Sequence, residues 1–183
     1  NMDSVLSLNA LTSYINLGGD DAVASDIFNK IDRRFAVLKS YKSLKTTIVG
    51  AELIDLALPN AEGEIIRVSD LCKSGKWVLI DFWATWCGPC RGEIPYLVEA
   101  YAKYAPQGLE IYGVSFDYPG TEARWREFIA ENNMTWINVW GTDEDGSWRT
   151  GEEFNVDGIP ANFLYSPEGN LVARNLRGDN IER

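Results

Sequence analysis

Apolar residues in the first part of the chain recur at helical spacing. Leu8, Leu11 and Ile15 form one stripe, and Gly18-Gly19 interrupt it. Asp20 or Asp21 is placed to cap a second helix, whose stripe runs Ala24, Ile27, Phe28, Ile31, Phe35 and Leu38. Residues 3–45 therefore read as two helices. From Thr46 the pattern changes. Ala51–Leu58 alternates weakly up to Pro59, Asn60-Ala61-Glu62-Gly63 reads as a turn, and Glu64–Val68 reads as a second short strand. A boundary near Thr46-Thr47 divides a helical extension or linker, 1–46, from a second unit, 47–183.

The second unit alternates between strand and helix. Val78–Trp83 is apolar on consecutive positions apart from Asp81, the signature of a strand covered on both faces. From Cys90 the spacing turns helical through Ile94, Leu97, Val98, Tyr101 and Ala102, and Gly108 ends that run before the strand Leu109–Ser115. Strand, helix and strand in order predict a parallel pair with a right-handed crossover. Thr121–Asn132 reads as a helix, Trp136–Trp140 as a strand and Ser147–Phe154 as a short helix. Asn162–Tyr165 and Leu171–Asn175 flank a Ser-Pro-Glu-Gly turn and predict a closing hairpin, and Asp179–Arg183 begins a last helix. The class is α/β, with a central mixed sheet flanked by helices.

Composition narrows the chemistry. The 183 residues carry 27 acids against 17 bases, a net charge of −10, which disfavours nucleic acid and anionic lipid as partners. The densest acidic group, Asp143–Asp145, reads as a solvated loop. There is no histidine, so the commonest proton shuttle and metal ligand is missing. No run approaches a membrane span. The opening NMDSVLSLNA has neither a basic end nor a long apolar stretch, so no signal peptide is expected within it.

Cys87 and Cys90 stand two residues apart where the buried strand hands over to a helix, in the run DFWATWCGPC. Haem attachment needs a histidine after the second cysteine, and Arg91 stands there. A structural zinc site needs four ligands, and only Cys72 and carboxylates remain to complete one, so no metal is expected. A redox pair fits. Cys87 at a helix N-terminus gains from unpaired N–H groups and the helix dipole, which stabilise a thiolate. Pro89 suits the first helical turn. Cys72, in Leu71-Cys72-Lys73-Ser74-Gly75, reads as a spectator in a loop.

Trp86-Cys87-Gly88-Pro89-Cys90 resembles the active-site motif of thioredoxins, and the resemblance runs from about Val49 to the C-terminus. Asp81 stands at the family's buried aspartate, Pro95 at its helix-kinking proline, and Ile159-Pro160 at its cis-proline. Cys87, Cys90, Glu93 and Pro95 together are similar to the TlpA-like branch of bacterial thiol–disulfide oxidoreductases, within the AhpC/TSA-redoxin superfamily. The hairpin over 51–68 and the helix Thr121–Asn132 are also similar to that branch.

The resemblance implies a thioredoxin-like fold and reduction or exchange of protein disulfides. Cys87 would attack and Cys90 resolve, with Asp81 and Glu93 as candidates to take the Cys90 proton. Trp86, Gly88, Pro89, Ile159 and Pro160 would form the substrate contact. No cofactor is implied beyond the Cys87–Cys90 disulfide. The implied partners are a protein disulfide and an upstream electron-donor dithiol protein. The implied setting is the bacterial periplasm or cell envelope, including service to cytochrome c maturation, with membrane contact only through a tether absent from this chain. Two departures stand out: no lysine occurs around Tyr112-Gly113, where thioredoxins place one near the buried aspartate, and this chain carries both acids. A thiol peroxidase of the same fold would need Thr or Ser where Ala84 stands. A non-catalytic binding module is the remaining alternative. The N-terminal helices read either as the end of a larger upstream region or as a dimerisation arm.

Overall fold

The computed structural model describes residues 5–31 and 33–182. Helices α1 (Val5–Asn16), α2 (Asp21–Asn29) and α3 (Lys39–Lys45) open the chain. Residues 3, 4 and 183, included in the two predicted terminal helices, lie outside the described residues. Asp20 caps α2, its carboxylate accepting from the Val23 N–H at 3.0 Å. The long second helix expected from the apolar stripe is instead broken. Lys30 and Ile31 close i→i+3 bonds onto Ile27 and Phe28, and a 3-10 turn, Arg33–Val37, leads into α3. The break bends the chain back on itself, so that Leu44, Ile48 and Ala51 reach Leu8, Leu11, Ala24, Phe28 and Ile31 in a small core of their own. A straight helix carrying the same stripe has no way to close that cluster.

Next come a two-stranded antiparallel hairpin, β1 (Ala57–Pro59) and β2 (Ile65–Arg67), and a short helix, α4 (Val68–Lys73). The strand expected over Ala51–Leu58 shrinks to its end, because residues 50–53 instead bond outward. Gly50 N–H donates to Leu171 O at 2.6 Å and Leu53 N–H to Gly169 O at 2.7 Å. Cys72 is not in a loop: it lies in α4, buried, where burial pushes its thiol pKa up.

The main sheet contains β3 (Trp77–Trp83), β4 (Leu109–Ser115), β5 (Ile137–Trp140), β6 (Ala161–Tyr165) and β7 (Leu171–Arg174), in the order β5-β4-β3-β6-β7. β3 pairs parallel with β4 and antiparallel with β6, so the sheet is mixed as the pattern indicated. Helix α5 (Gly88–Tyr104) makes the crossover, α6 (Glu122–Glu131) joins β4 to β5, and α7 (Arg149–Glu153) precedes β6. Alternation along the central strands separates the faces. Val78, Ile80 and Phe82 point one way; Phe82 packs on Phe154 and Phe163, and Tyr112, opposite Ile80 on β4, ties the hairpin through Leu58 N–H and Ile66 O. Leu79, Asp81 and Trp83 point the other way, with Trp83 against Phe128 of α6. A 3-10 turn, Gly178–Glu182, lies against α5.

Candidate active site

The site forms where β3 ends and α5 begins, in the middle of the sheet. Cys87 is the N-cap of α5 and accepts the Cys90 N–H on its sulfur at 3.2 Å. Pro89 occupies the first turn, where the missing N–H costs nothing, and Pro95 lies inside the continuous helix. Cys87 and Cys90 are joined as a disulfide, with their Cα atoms 5.3 Å apart. Both are almost wholly buried, at 4 % and 2 % exposure. What faces solvent around them is Trp86, Gly88 and Pro89.

The Ile159–Pro160 bond is cis, as expected, and the Cys87 sulfur lies 3.7 Å from the Ile159 carbonyl oxygen. Ile159 and Pro160 are half-buried at the rim. Trp86, 45 % exposed, is held rather than loose: its indole N–H donates to Phe116 O at 3.2 Å. Its ring stacks on Tyr118, with centroids 5.8 Å apart, and on Trp148 at 6.0 Å. Trp83 is core.

Asp81 is 5 % exposed on the face of β3 toward α5. Burial pushes its pKa up from 3.8 to about 7, while Arg177 and a hydrogen bond with Asn162 pull it back and the Glu93 charge adds to the rise. Asn162 is its cross-strand neighbour on β6. The position opposite Asp81 on β4 is Gly113, and a Cβ there would come within 3.0 Å of the Asn138 side-chain oxygen and within 3.2 Å of the Trp136 and Trp83 indole nitrogens. A side chain at that point is crowded and would need those three neighbours to give way.

The cation comes instead from the segment that follows β7. Asn162 exchanges two hydrogen bonds with Leu176, its amide donating at 3.0 Å and its oxygen accepting at 2.8 Å. That places Arg177, whose guanidinium donates to the carbonyls of Leu176, at 2.6 Å, and of Pro160. Glu93 is half-buried, not a free helix-end charge: it accepts the Gly178 N–H at 2.8 Å. One short segment, 176–178, thus bonds the cis-proline and the β6 partner of Asp81 and also holds Glu93. Sequence reasoning missed Arg177 and Asn162. Asn162 could have been found as the polar residue just after Ile159-Pro160; Arg177 stands in a stretch with no motif, and both lie more than sixty residues from the cysteines.

Residues 49–174 match the model of the AhpC/TSA family. The chain belongs to that family. Within it, ResA, a thiol-disulfide oxidoreductase of Oceanobacillus iheyensis, is 32 % identical over 142 residues, covering 75 % of this chain and 70 % of ResA. The thioredoxin domain of a thiol-disulfide oxidoreductase from Bacteroides vulgatus is 33 % identical and superposes with a TM-score of 0.65, covering 73 % of this chain and 91 % of that one. A thiol:disulfide interchange protein from a Bacteroides species is 34 % identical, also at a TM-score of 0.65, covering 73 % and 84 %. The family member described here has the thioredoxin-like fold of these proteins and is a TlpA-like thiol–disulfide oxidoreductase.

Proposed function

We propose that this enzyme reduces disulfides in protein substrates with the Cys87–Cys90 dithiol and is itself re-reduced by a dithiol protein. The observation that carries the reading is the placement of Cys87. Its sulfur caps α5 on the Cys90 N–H, a contact that stabilises a thiolate formed there, and it lies beside Ile159 and cis-Pro160 at the rim where a substrate would dock. Attack by that thiolate on a substrate disulfide forms one S–S bond and breaks another, releasing a substrate thiolate. Cys90, once deprotonated, attacks the Cys87 sulfur, closes the 87–90 disulfide and releases the second substrate thiol, so two electrons pass to the substrate. Asp81 takes the Cys90 proton, and Glu93, whose charge acts on Asp81, helps hold that acid ready. Trp86, Gly88, Pro89, Ile159 and Pro160 form the docking rim.

The reducing direction is supported by Gly-Pro between the cysteines, through the resemblance to thioredoxins. The same resemblance supports a setting in the bacterial periplasm or cell envelope, with cytochrome c maturation as the class of pathway. No helix among the described residues is long and apolar enough to cross a membrane. Residues 47–183 are read as the catalytic domain and 1–46 as its helical extension.

Insulin reduction driven by dithiothreitol tests the activity. Cys87→Ser should abolish it. Cys90→Ala should instead accumulate mixed disulfides with substrate, because attack survives and resolution does not. Equal trapping by both variants would mean that the nucleophile is misassigned.

A further inference from the structure

Asp117 is a carboxylate that the exchange chemistry never touches, yet it is 2 % exposed and fully engaged. Its oxygens accept the Thr85 N–H at 3.1 and 3.2 Å, the Thr85 hydroxyl at 2.5 Å and the Ser115 hydroxyl at 2.6 Å. Its own N–H donates to the Ser115 hydroxyl oxygen at 3.1 Å. Carrying a carboxylate this deep is costly without such donors, and an apolar residue would fill the same space more cheaply. The donors come from Ser115 at the end of β4 and from Thr85, two residues before Cys87.

The grip continues along the turn. Phe116 N–H donates to Trp83 O at 2.8 Å, and Phe116 O accepts the Trp86 indole. Tyr118 stacks on Trp86. The segment leaving β4 therefore holds residues 83, 85 and 86, which lead directly into the N-cap of α5. The advantage of an N-cap position to a thiolate depends on the orientation of the N–H groups that face it. A turn free to shift would lose part of it.

We propose that Thr85 and Asp117 form a positioning clamp that fixes the turn ahead of Cys87, and so sets the acidity of that thiol and the reduction potential of the pair. The clamp rests on the reading of Cys87 as the attacking thiol. Removing the Thr85 hydroxyl takes away the shortest of these bonds and loosens the turn that orients the N-cap.

The test uses the full chain, unaltered and as Thr85→Val and Thr85→Ser. The pH dependence of Cys87 alkylation and the equilibrium with glutathione across pH are measured for each. The unaltered protein comes first: a Cys87 that titrates no lower than about 8.5 would undo the reading of Cys87 as the activated thiol. Given a low value there, Thr85→Val should raise it by about one unit, and Thr85→Ser should return it. The equilibrium constant for reduction by glutathione should then fall about tenfold, about 30 mV, above the Cys87 pKa and not at all well below it, where the thiol is protonated in every variant. An unchanged Cys87 titration, or a shift in the constant equal at all pH values, would overturn the clamp and leave Asp117 a structural acid. Should Thr85→Val fail to fold, Ser115→Ala releases the same carboxylate from the other side. It should move both readouts the same way by less, and unmoved readouts would overturn the proposal equally.

Discussion

Asp81 concentrates the chemistry and the cost of this site in one residue. Its pKa of about 7, against 3.8 in an unstructured chain, means that its charged form is penalised by the fold. The sign follows: a carboxylate raised on folding contributes stability that is complete below the unfolded value and is lost as pH climbs through about 7. Asp81→Asn should therefore leave stability nearly unchanged at about pH 4 and raise it at about pH 8 by something on the order of 4 kcal/mol, read by urea denaturation. The same change should slow the decay of a preformed mixed disulfide, chiefly above neutral pH, where the wild-type carboxylate is ionised. Glu93→Gln should slow it less. A stability gain equal at both pH values would show that Asp81 is not held in a penalised state.

At the level of elements, the decisive piece is the segment that follows β7. It carries no motif, yet its backbone and Arg177 bond Asn162, Pro160 and Glu93 at once. Since Arg177 pulls the Asp81 pKa down, Arg177→Gln should push it above about 7 and shift the pH profile of mixed-disulfide resolution to the alkaline side by up to about one unit. The readout is the resolution rate against pH in a stopped-exchange assay. A profile that keeps its midpoint and only loses amplitude would assign Arg177 to holding the cis-proline carbonyl alone. The positions of β3, α5 and β4 were legible in the sequence because long apolar runs and a helical stripe are local signals. The broken second helix and the strand over Ala51–Leu58 were not, since long-range bonds to Gly169 and Leu171 and the closure of a small core overrode local pattern there.

At the scale of the molecule, the described residues form two hydrophobic cores: a large one around the main sheet, and a small one made by α1–α3 and the residues up to Ala51. Phe28, buried in the small core and 4.8 Å from Tyr41 between ring centroids, is its largest anchor. Phe28→Ala should cost about 3–5 kcal/mol locally. Amide exchange should then show α1–α3 losing protection while β3 and β4 keep theirs, with insulin reduction unchanged. Loss of protection in β3 and β4 together with the helices would mean that the two cores unfold as one.

The residue order alone determined the dithiol and its place at a strand-to-helix junction, because Cys-Gly-Pro-Cys, a buried apolar strand and a helical stripe all lie within a few turns of chain. It also determined that an acid stands inside the central strand and that Ile159-Pro160 opens the next one. Only the tertiary structure decided what surrounds them. Gly113 is packed beneath two indoles, which crowds a side chain there, and Arg177 supplies the cation that acts on Asp81 from beyond β7. Asp117 takes its meaning from Thr85, thirty-two residues earlier. Charge and hydrogen bonding act through space, and a buried group takes its partners from whichever strand the sheet order sets beside it. That order arises from closing the core and leaves no mark on the neighbouring sequence.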